Sequence, residues 1–193
     1  PCYHSITMGH LLGEVIRRIS GQGIGAFLAT NVTNPLGLDY HFGLRDEDLP
    51  RCADFLEDEG QGLADYLLAN PDSLPARTFG PIAVDENFNS LEWRQSEVPS
   101  ANGHGNARAL AKLYGALALG GELDGVRIIG RETLLRASAE QWEAPDLATG
   151  LRMRLGLGFR LGSADTPMGP NRAAFGSTGA GGAISFCDMD AGI

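Results

Sequence analysis

Apolar residues recur at helical spacing near the start of the chain: Met8, Leu11, Leu12, Val15, Ile16 and Ile19, with Glu14, Arg17 and Arg18 between them. This period predicts an amphipathic helix, whose apolar stripe ordinarily faces a core. Ser5 or Thr7 is the expected N-cap and Gly21 the stop. A second, short helix turns Ile24, Phe27, Leu28 and Val32 inward, starts weakly because of Gly23 and Gly25, and ends at Asn34-Pro35, with a turn over 35–39. The acidic stretch from Asp46 to Pro75 is expected as helix in two pieces, with Leu49, Ala53 and Leu56 on one face and Leu63, Tyr66, Leu67 and Leu68 following. Pro71, Pro75 and Pro81 mark a segment expected to be irregular through Asn89, as a cover over a pocket or as a linker.

Trp93 to Asn106 reads as a polar loop. A helix then opens on Asn106 as N-cap, with Ala107, Leu110, Ala111, Tyr114 and Leu117 inward and Gly120-Gly121 as its end. Residues 123–129 form a hairpin on an Asp124-Gly125 turn. A helix over 131–138 follows, then one alternating strand over 154–161 and a turn-rich stretch over 162–170. The run Ala183-Ile184-Ser185-Phe186-Cys187 reads as a strand. Helices outnumber strands, and the last strands are turn-linked neighbours, hence antiparallel, so the fold class is α+β.

At 193 residues, 43% hydrophobic and 20% charged, the chain can bury a sizeable core. Its net charge of -9 speaks against nucleic acid and against an anionic membrane surface as partners. No apolar run approaches the roughly 18 residues of a span. Cys2, Cys52 and Cys187 are scattered and odd in number, which points to free thiols rather than a disulfide framework; this fits a reducing compartment and slightly favours the cytoplasm, and localisation is left open. Asp54, Glu57, Asp58 and Glu59 form a solvated acidic face, without the spacing of a calcium loop. No metal or cofactor is called for. The chain opens at Pro1 and stops shortly after a strand and turn with no returning strand, so a piece of a longer protein is expected.

The densest candidate chemistry is Phe175-Gly176-Ser177-Thr178-Gly179-Ala180-Gly181-Gly182. Four glycines let the backbone approach another group, and free N–H groups there suit an anion or a developing oxyanion. No Lys follows, as a P-loop needs; the spacing is not Gly-x-Gly-x-x-Gly; and Phe175 breaks a Gly-x-Ser-x-Gly elbow. The alternative is a Gly-rich turn leading into a core strand. At the other end, Tyr3 stands just before a helix N-terminus, whose positive end favours a phenolate and so a base. Equally, Tyr3 packs as a staple on that helix. Asn102 and His104, on a Gly-rich loop, are placed to face a ligand or simply solvent.

Their order along the chain carries more than any one piece. Tyr3-His4-Ser5 precedes a helix; Pro99-Ser100-Ala101-Asn102-Gly103 precedes another; Leu155-Gly156-Leu157-Gly158-Phe159 and the Ser177-Thr178-Gly179 stretch lie on strands. This resembles the serine β-lactamase-like family: class C β-lactamases, DD-peptidases and family VIII carboxylesterases, with the esterase-like members most similar. The resemblance implies an antiparallel sheet flanked by helices plus a mostly helical lobe. Residues 1–193 would be the C-terminal part of one such domain, 1–150 the mainly helical lobe and 151–193 the sheet strands.

Carried over by motif, the resemblance makes Tyr3 the general base or proton relay. Ser5 would be a substrate-binding residue of the polar network, and Ser177, Thr178 and Gly179 the triplet lining the site. The Ala180 N–H would be one oxyanion donor. Two departures matter. Ser177 stands where many relatives carry Lys or His, which removes a partner for a substrate carboxylate but costs a neutral ester nothing. The family's nucleophile lies in Ser-x-x-Lys, where the Lys eases deprotonation. The single lysine here, Lys112, has Ala109 three before it, so that motif is absent and expected upstream. The implied function is ester hydrolysis of a small-molecule ester or amide through an acyl-enzyme. The alternatives are a β-lactamase or D-Ala-D-Ala carboxypeptidase, and a non-catalytic binding protein of the same fold. Oligomeric state is left open. The Tyr3 hydroxyl is expected within about 10 Å of the 177–180 backbone, the scale of a small-ligand pocket.

Overall fold

The computed structural model describes residues 3–56, 63–83, 87–179 and 182–193, with the side chains of 63–64 and 80–83 left out. In chain order the elements are α1 (Thr7–Ser20), α2 (Ile24–Leu28), a π turn (Ala29–Thr33), α3 (Asn34–Leu36), β1 (Tyr40–Phe42), a 3-10 turn (Leu49–Arg51), α4 (Leu63–Ala69), α5 (Leu74–Ala83) and α6 (Leu91–Gln95). Then come β2 (Gly103–Gly105), α7 (Ala107–Ala118), β3 (Glu122–Leu123), β4 (Val126–Arg127), α8 (Arg131–Ser138), β5 (Trp142–Pro145), β6 (Arg152–Leu155), β7 (Arg160–Leu161), β8 (Phe175–Thr178) and β9 (Ile184–Cys187). They group into two compact units. One holds Pro1–Phe27, His41–His104 and Leu147–Gly150; the other holds Leu28–Tyr40, Gly105–Asp146 and Leu151–Ile193.

In the first unit, α1 ends on Gly21 at φ 74, as its sequence predicts. Its apolar stripe is not buried: only Gly9 of this helix is. The expected helix over 46–56 is reduced to one 3-10 turn. Pro50 withholds an amide there, and Asp48 is held by Arg45 and Arg51 at 3.1 and 2.8 Å. Two expected irregular stretches are partly helical. α5 crosses the proline-rich segment because Ser73 accepts the Ala76 N–H and Pro75 falls in the first turn, where no amide is required. α6 runs into the start of the expected polar loop, capped by Ser90 accepting from Trp93 N at 3.1 Å. Edge-to-face contacts of Phe88 with Phe55 and Trp93, at 5.7 and 5.1 Å, pin the coil before α6.

In the second unit, helix continues past Pro35. The π turn lets Asn34 N–H reach back to Ala29 O, and the chain stops instead at Gly37, φ 62, with Leu38 N–H closing on Thr33 O. Asn106 caps α7 as predicted. Of the expected inward positions of α7, Leu117 is buried and Tyr114 partly so, while Ala107 and Ala111 are exposed: Ala109 and Ala116 pack with Leu36 and Leu38, and Leu117 and Ala118 with Leu134, Leu161, Phe175 and Cys187. The helix is thus packed on two sides, which its alanines permit. Asp124 and Gly125, at φ 51 and 78, make the predicted hairpin turn between β3 and β4.

The expected single strand over 154–161 is two strands, β6 and β7, reversed through Gly158 at φ 86. They belong to a five-stranded sheet in the order β5-β6-β7-β8-β9, each pair of neighbours antiparallel. The fold is therefore α+β with a β-meander. Arg154 crosses the sheet nearly buried, with Glu140 at 2.8 Å and the carbonyls of Gly162 and Arg172 accepting its remaining donors. Its charge is thus fully met, as burial demands.

Candidate active site

Tyr3 and Ser5 stand immediately before α1, both half-buried. Neither Ser5 nor Thr7 caps this helix. Its N-cap position is Ile6, with no side-chain bond, and the Thr7 hydroxyl instead meets His4 Nδ1 at 3.0 Å. The cap comes from far along the chain: Ser100 Oγ accepts the Gly9 N–H at 2.8 Å. The approach is so close that a Cβ on Gly9 would stand 2.6 Å from Ser100 N. Glycine is needed here for space. Tyr3 itself packs on the cluster of Leu67, Ala76, Phe79 and Ala148.

Ser100 belongs to the same short loop as Asn102. The Asn102 side chain is only 3% exposed and is spent on that loop. Its Oδ1 accepts from Val98 N at 2.9 Å, and its Nδ2 donates to the carbonyls of Trp93 and Ser96 at 2.9 and 2.7 Å. Asn102 therefore fixes the backbone that presents Ser100 to α1. His104 follows on β2, half-buried, with Nδ1 enclosed and unpartnered. Burial lowers its pKa below the usual imidazole value, and the charges of Arg94 and His41 add to this; the Asn102 backbone offsets part of it. A ring of this kind is a neutral donor or acceptor at neutral pH rather than a cation.

In the second unit the Ser177 triplet is not a turn but the end of β8. Ser177 pairs with Ser185 and Thr178 with Ile184, and Gly179 N–H donates to Ala183 O at 2.8 Å. Phe175 and Gly176 are buried while Ser177 and Gly179 are exposed, so the strand is anchored at one end and presented at the other. Anchoring is by Phe175 against Phe159, edge-to-face at 4.8 Å, and across the ladder by buried Cys187. Gly176 lets the strands close, for a Cβ there would lie 2.1 Å from Ser185 O. No Lys, Arg or His occurs from 175 to 183. Ala180, the expected oxyanion donor, lies outside the described residues.

Tyr3, Ser5, Asn102 and His104 thus fall in the first unit, and Ser177, Thr178 and Gly179 in the second. Ser100 and Gly9 received no role from sequence; the signal available was a glycine in the first turn of a helix whose own cap residue is apolar. A cleft of about 510 Å³ in the second unit, between Leu119, Glu122, Arg127 and Arg131, contains none of these residues. Among the described residues no His, Cys, Asp and Glu gather as a metal site, and no helix is long and apolar enough to cross a membrane.

The whole chain, residues 1–193, matches the family model described as Beta-lactamase. It is 30% identical over 201 residues to the esterase/beta-lactamase LipL of Mycobacterium tuberculosis, covering 99% of this chain and 46% of that protein. Among solved structures, a family VIII carboxylesterase superposes with TM-score 0.81 at 37% identity, over 100% of this chain and 50% of the other. A penicillin-binding protein homolog from Caulobacter crescentus gives 0.84 at 35% identity, over 99% and 50%. The chain spans about half the length of the relatives it matches. Motif order, antiparallel meander and a match from end to end agree: the chain belongs to the beta-lactamase family of serine hydrolases, whose members include esterases and penicillin-binding-protein-like proteins.

Proposed function

We propose that the whole protein hydrolyses carboxylic esters through an acyl-enzyme, and that these 193 residues are the C-terminal part of its single β-lactamase-like domain. In this reading residues 1–150 are the mainly helical lobe and 151–193 the sheet. The nucleophilic Ser and its Lys stand outside the 193 residues, since no Ser-x-x-Lys occurs within them. The Ser oxygen attacks the ester carbonyl while Lys and Tyr3 take its proton. The oxyanion is held by the Ala180 N–H and the nucleophile's own N–H, worth roughly 3 kcal/mol per donor. Tyr3 returns the proton to the departing alkoxide, and water then releases the acid by the same route. Ser5 and the Ser177-Thr178-Gly179 strand end bind the substrate, which is a small molecule. Asn102 and His104 line or hold the same site.

The observation that carries the ester over a β-lactam or D-Ala peptide is Ser177. Those substrates present a carboxylate that wants a cation, and the strand end and its turn supply none. Support also comes from the likeness to a family VIII carboxylesterase. The runner-up, a β-lactamase or D-Ala-D-Ala carboxypeptidase, draws on the names of the mycobacterial and Caulobacter relatives. Full-length protein is assayed on p-nitrophenyl butyrate and on nitrocefin. Turnover of the ester, lost at least 100-fold in Tyr3→Phe, supports the reading; turnover of nitrocefin alone overturns it. The 193-residue chain by itself is expected to be inactive, having no positioned nucleophile.

A further inference from the structure

Two contacts tie α1 to one short loop. Gly9 lies against Ser100, and one turn later Gly13 lies against Pro99. Four residues apart, these glycines form one edge of the helix. The loop is itself held in place. The Ala101 and Asn102 N–H groups both donate to Val98 O, at 2.9 and 3.0 Å, and the Asn102 side chain bonds the backbone of Trp93, Ser96 and Val98. Residues 3–27 and 93–102 all belong to the first unit. Locally, by contrast, the start of α1 is weakly marked. Ile6 has a helical ψ of -51 and an apolar side chain, and the Thr7–His4 bond beside it is exposed and engages no backbone N–H. Gly9 is the third residue of the helix, the position whose N–H an N-cap side chain ordinarily takes.

We propose that Ser100 is a positioning residue for Tyr3. Its hydroxyl, on the Gly9 N–H at 2.8 Å, fixes the residue at which α1 begins and with it the backbone course of residues 3–5. This rests on the proposed reading that Tyr3 moves the proton. Helix geometry supplies the magnitude. A helix that starts one residue earlier or later moves the attached lead-in by about 1.5 Å along its axis and turns it by about 100°. A misplacement of about 1 Å, caused far from the chemistry, slows a reaction by up to about 100-fold. The Tyr3 ring is held separately, against Leu67, Ala76, Phe79 and Ala148. Ring and helix start are thus anchored on different parts of the first unit, and the phenol keeps its place only while both anchors hold. Asn102 acts one step further back, through the loop that carries Ser100.

The test uses the full-length protein with p-nitrophenyl butyrate, and kcat is referred to the folded fraction measured by circular dichroism. Ser100→Ala is expected to lower kcat at least about ten-fold while KM changes by less than about two-fold. Gly9→Ala, whose methyl would displace Ser100, should do the same, and the double variant should be no slower than the slower single one, since both remove one contact. Gly125→Ala is the control. It strains the hairpin turn at φ 78, its methyl meets nothing within 4 Å, and kcat should stay within about two-fold of wild type. If Ser100 only stabilises the helix, kcat per folded molecule in Ser100→Ala also stays within about two-fold, which overturns the positioning role and leaves the esterase reading standing. Additive losses in the double variant overturn it too. So does a rise in KM that accounts for the whole loss of kcat/KM, which would make Ser100 a substrate contact. Where the wild-type protein turns over nitrocefin and not the ester, the same ratios are read on nitrocefin, and the expected pattern then removes the ester reading alone. A wild-type protein active on neither substrate overturns both.

Discussion

The hydroxyl of Ser100 takes the place of an N-cap side chain for Gly9, from 91 residues away, at 2.8 Å. The N-cap position, Ile6, has no side-chain acceptor, and the Gly9 N–H is shared between Ile6 O at 3.1 Å and Ser100 Oγ. Ser100→Ala is therefore expected to cost about 1 kcal/mol in urea unfolding of the chain. Ser5→Ala, which removes no cap, should change stability by less than about 0.5 kcal/mol. Gly9→Ala should cost about 1–3 kcal/mol, because its methyl meets Ser100 backbone as well as its side chain. Equal costs for Ser5→Ala and Ser100→Ala would show that the cap is local after all.

A second prediction concerns how the candidate strand is presented. A methyl at 176 would meet Ser185 O at 2.1 Å and Phe186 Cα at 2.6 Å, both backbone, so no rotamer relieves it. Gly176→Ala is expected to destabilise the sheet by at least about 2 kcal/mol and to speed amide exchange over 184–187. Gly179→Ala is the control: its methyl would meet the Ala183 side chain at an ordinary 3.5 Å, and the change should be under about 1 kcal/mol. Exchange at 184–187 left unaltered by Gly176→Ala would contradict the register.

What was legible in the chain follows the reach of each signal. Local signals worked: Gly21 and Gly120-Gly121 as stops, Asn106 as a cap, Asp124-Gly125 as a hairpin turn, and α8 over 131–138. Ser73 before Pro75 and Ser90 before Glu92 were signals of the same kind, outweighed by the local proline and polar content. Period alone misled in two ways. On α1 it identified the apolar arc but not that Gly9 and Gly13 form the packed edge. On α7 it assumed one buried face where two clusters, around Leu36 and around Phe175, claim opposite sides. Ser100 was beyond reach because its role depends on a contact between distant parts of the chain. Of the candidate site, Tyr3 and Ser177 were proposed through motif order. That Asn102 is spent on its own loop needed coordinates.

Cys187 invites the idea that a thiol replaces the missing nucleophile. Its surroundings argue otherwise. Burial, with a smaller push from Asp188, raises its pKa to about 12, and neighbouring Tyr114 is raised to about 12 chiefly by burial too. The thiol is protonated throughout the range in which esterases work, and the side chain is 0% exposed. With Cys2 replaced by Ser, a disulfide reagent at pH 8 is expected to label Cys52 at least 100-fold faster than Cys187 in the folded protein. Labelling of both at the same rate in native buffer would return Cys187 to consideration.

His104 contributes to the pH behaviour of the first unit. Desolvation lowers its pKa, the positive charges of Arg94 and His41 lower it further, and only the Asn102 backbone acts the other way. The folded value therefore lies below the unfolded value of about 6.5. The neutral ring's contribution is complete above about 6.5 and is lost as pH falls through the lower, folded value. Acidification from pH 7.5 towards 5 should weaken the fold in part through this residue, and His104→Gln should lose less stability over the same interval. The direct check is the ring-proton titration by NMR, expected to have its midpoint below 6.5; a midpoint above it would mean that a charge partner, not burial, governs the site. The sign bears on chemistry as well. A neutral ring at pH 7 offers a hydrogen bond and no net charge, so on the proposed reading His104 would be no partner for a substrate carboxylate, whereas an ester carbonyl or alcohol oxygen needs none.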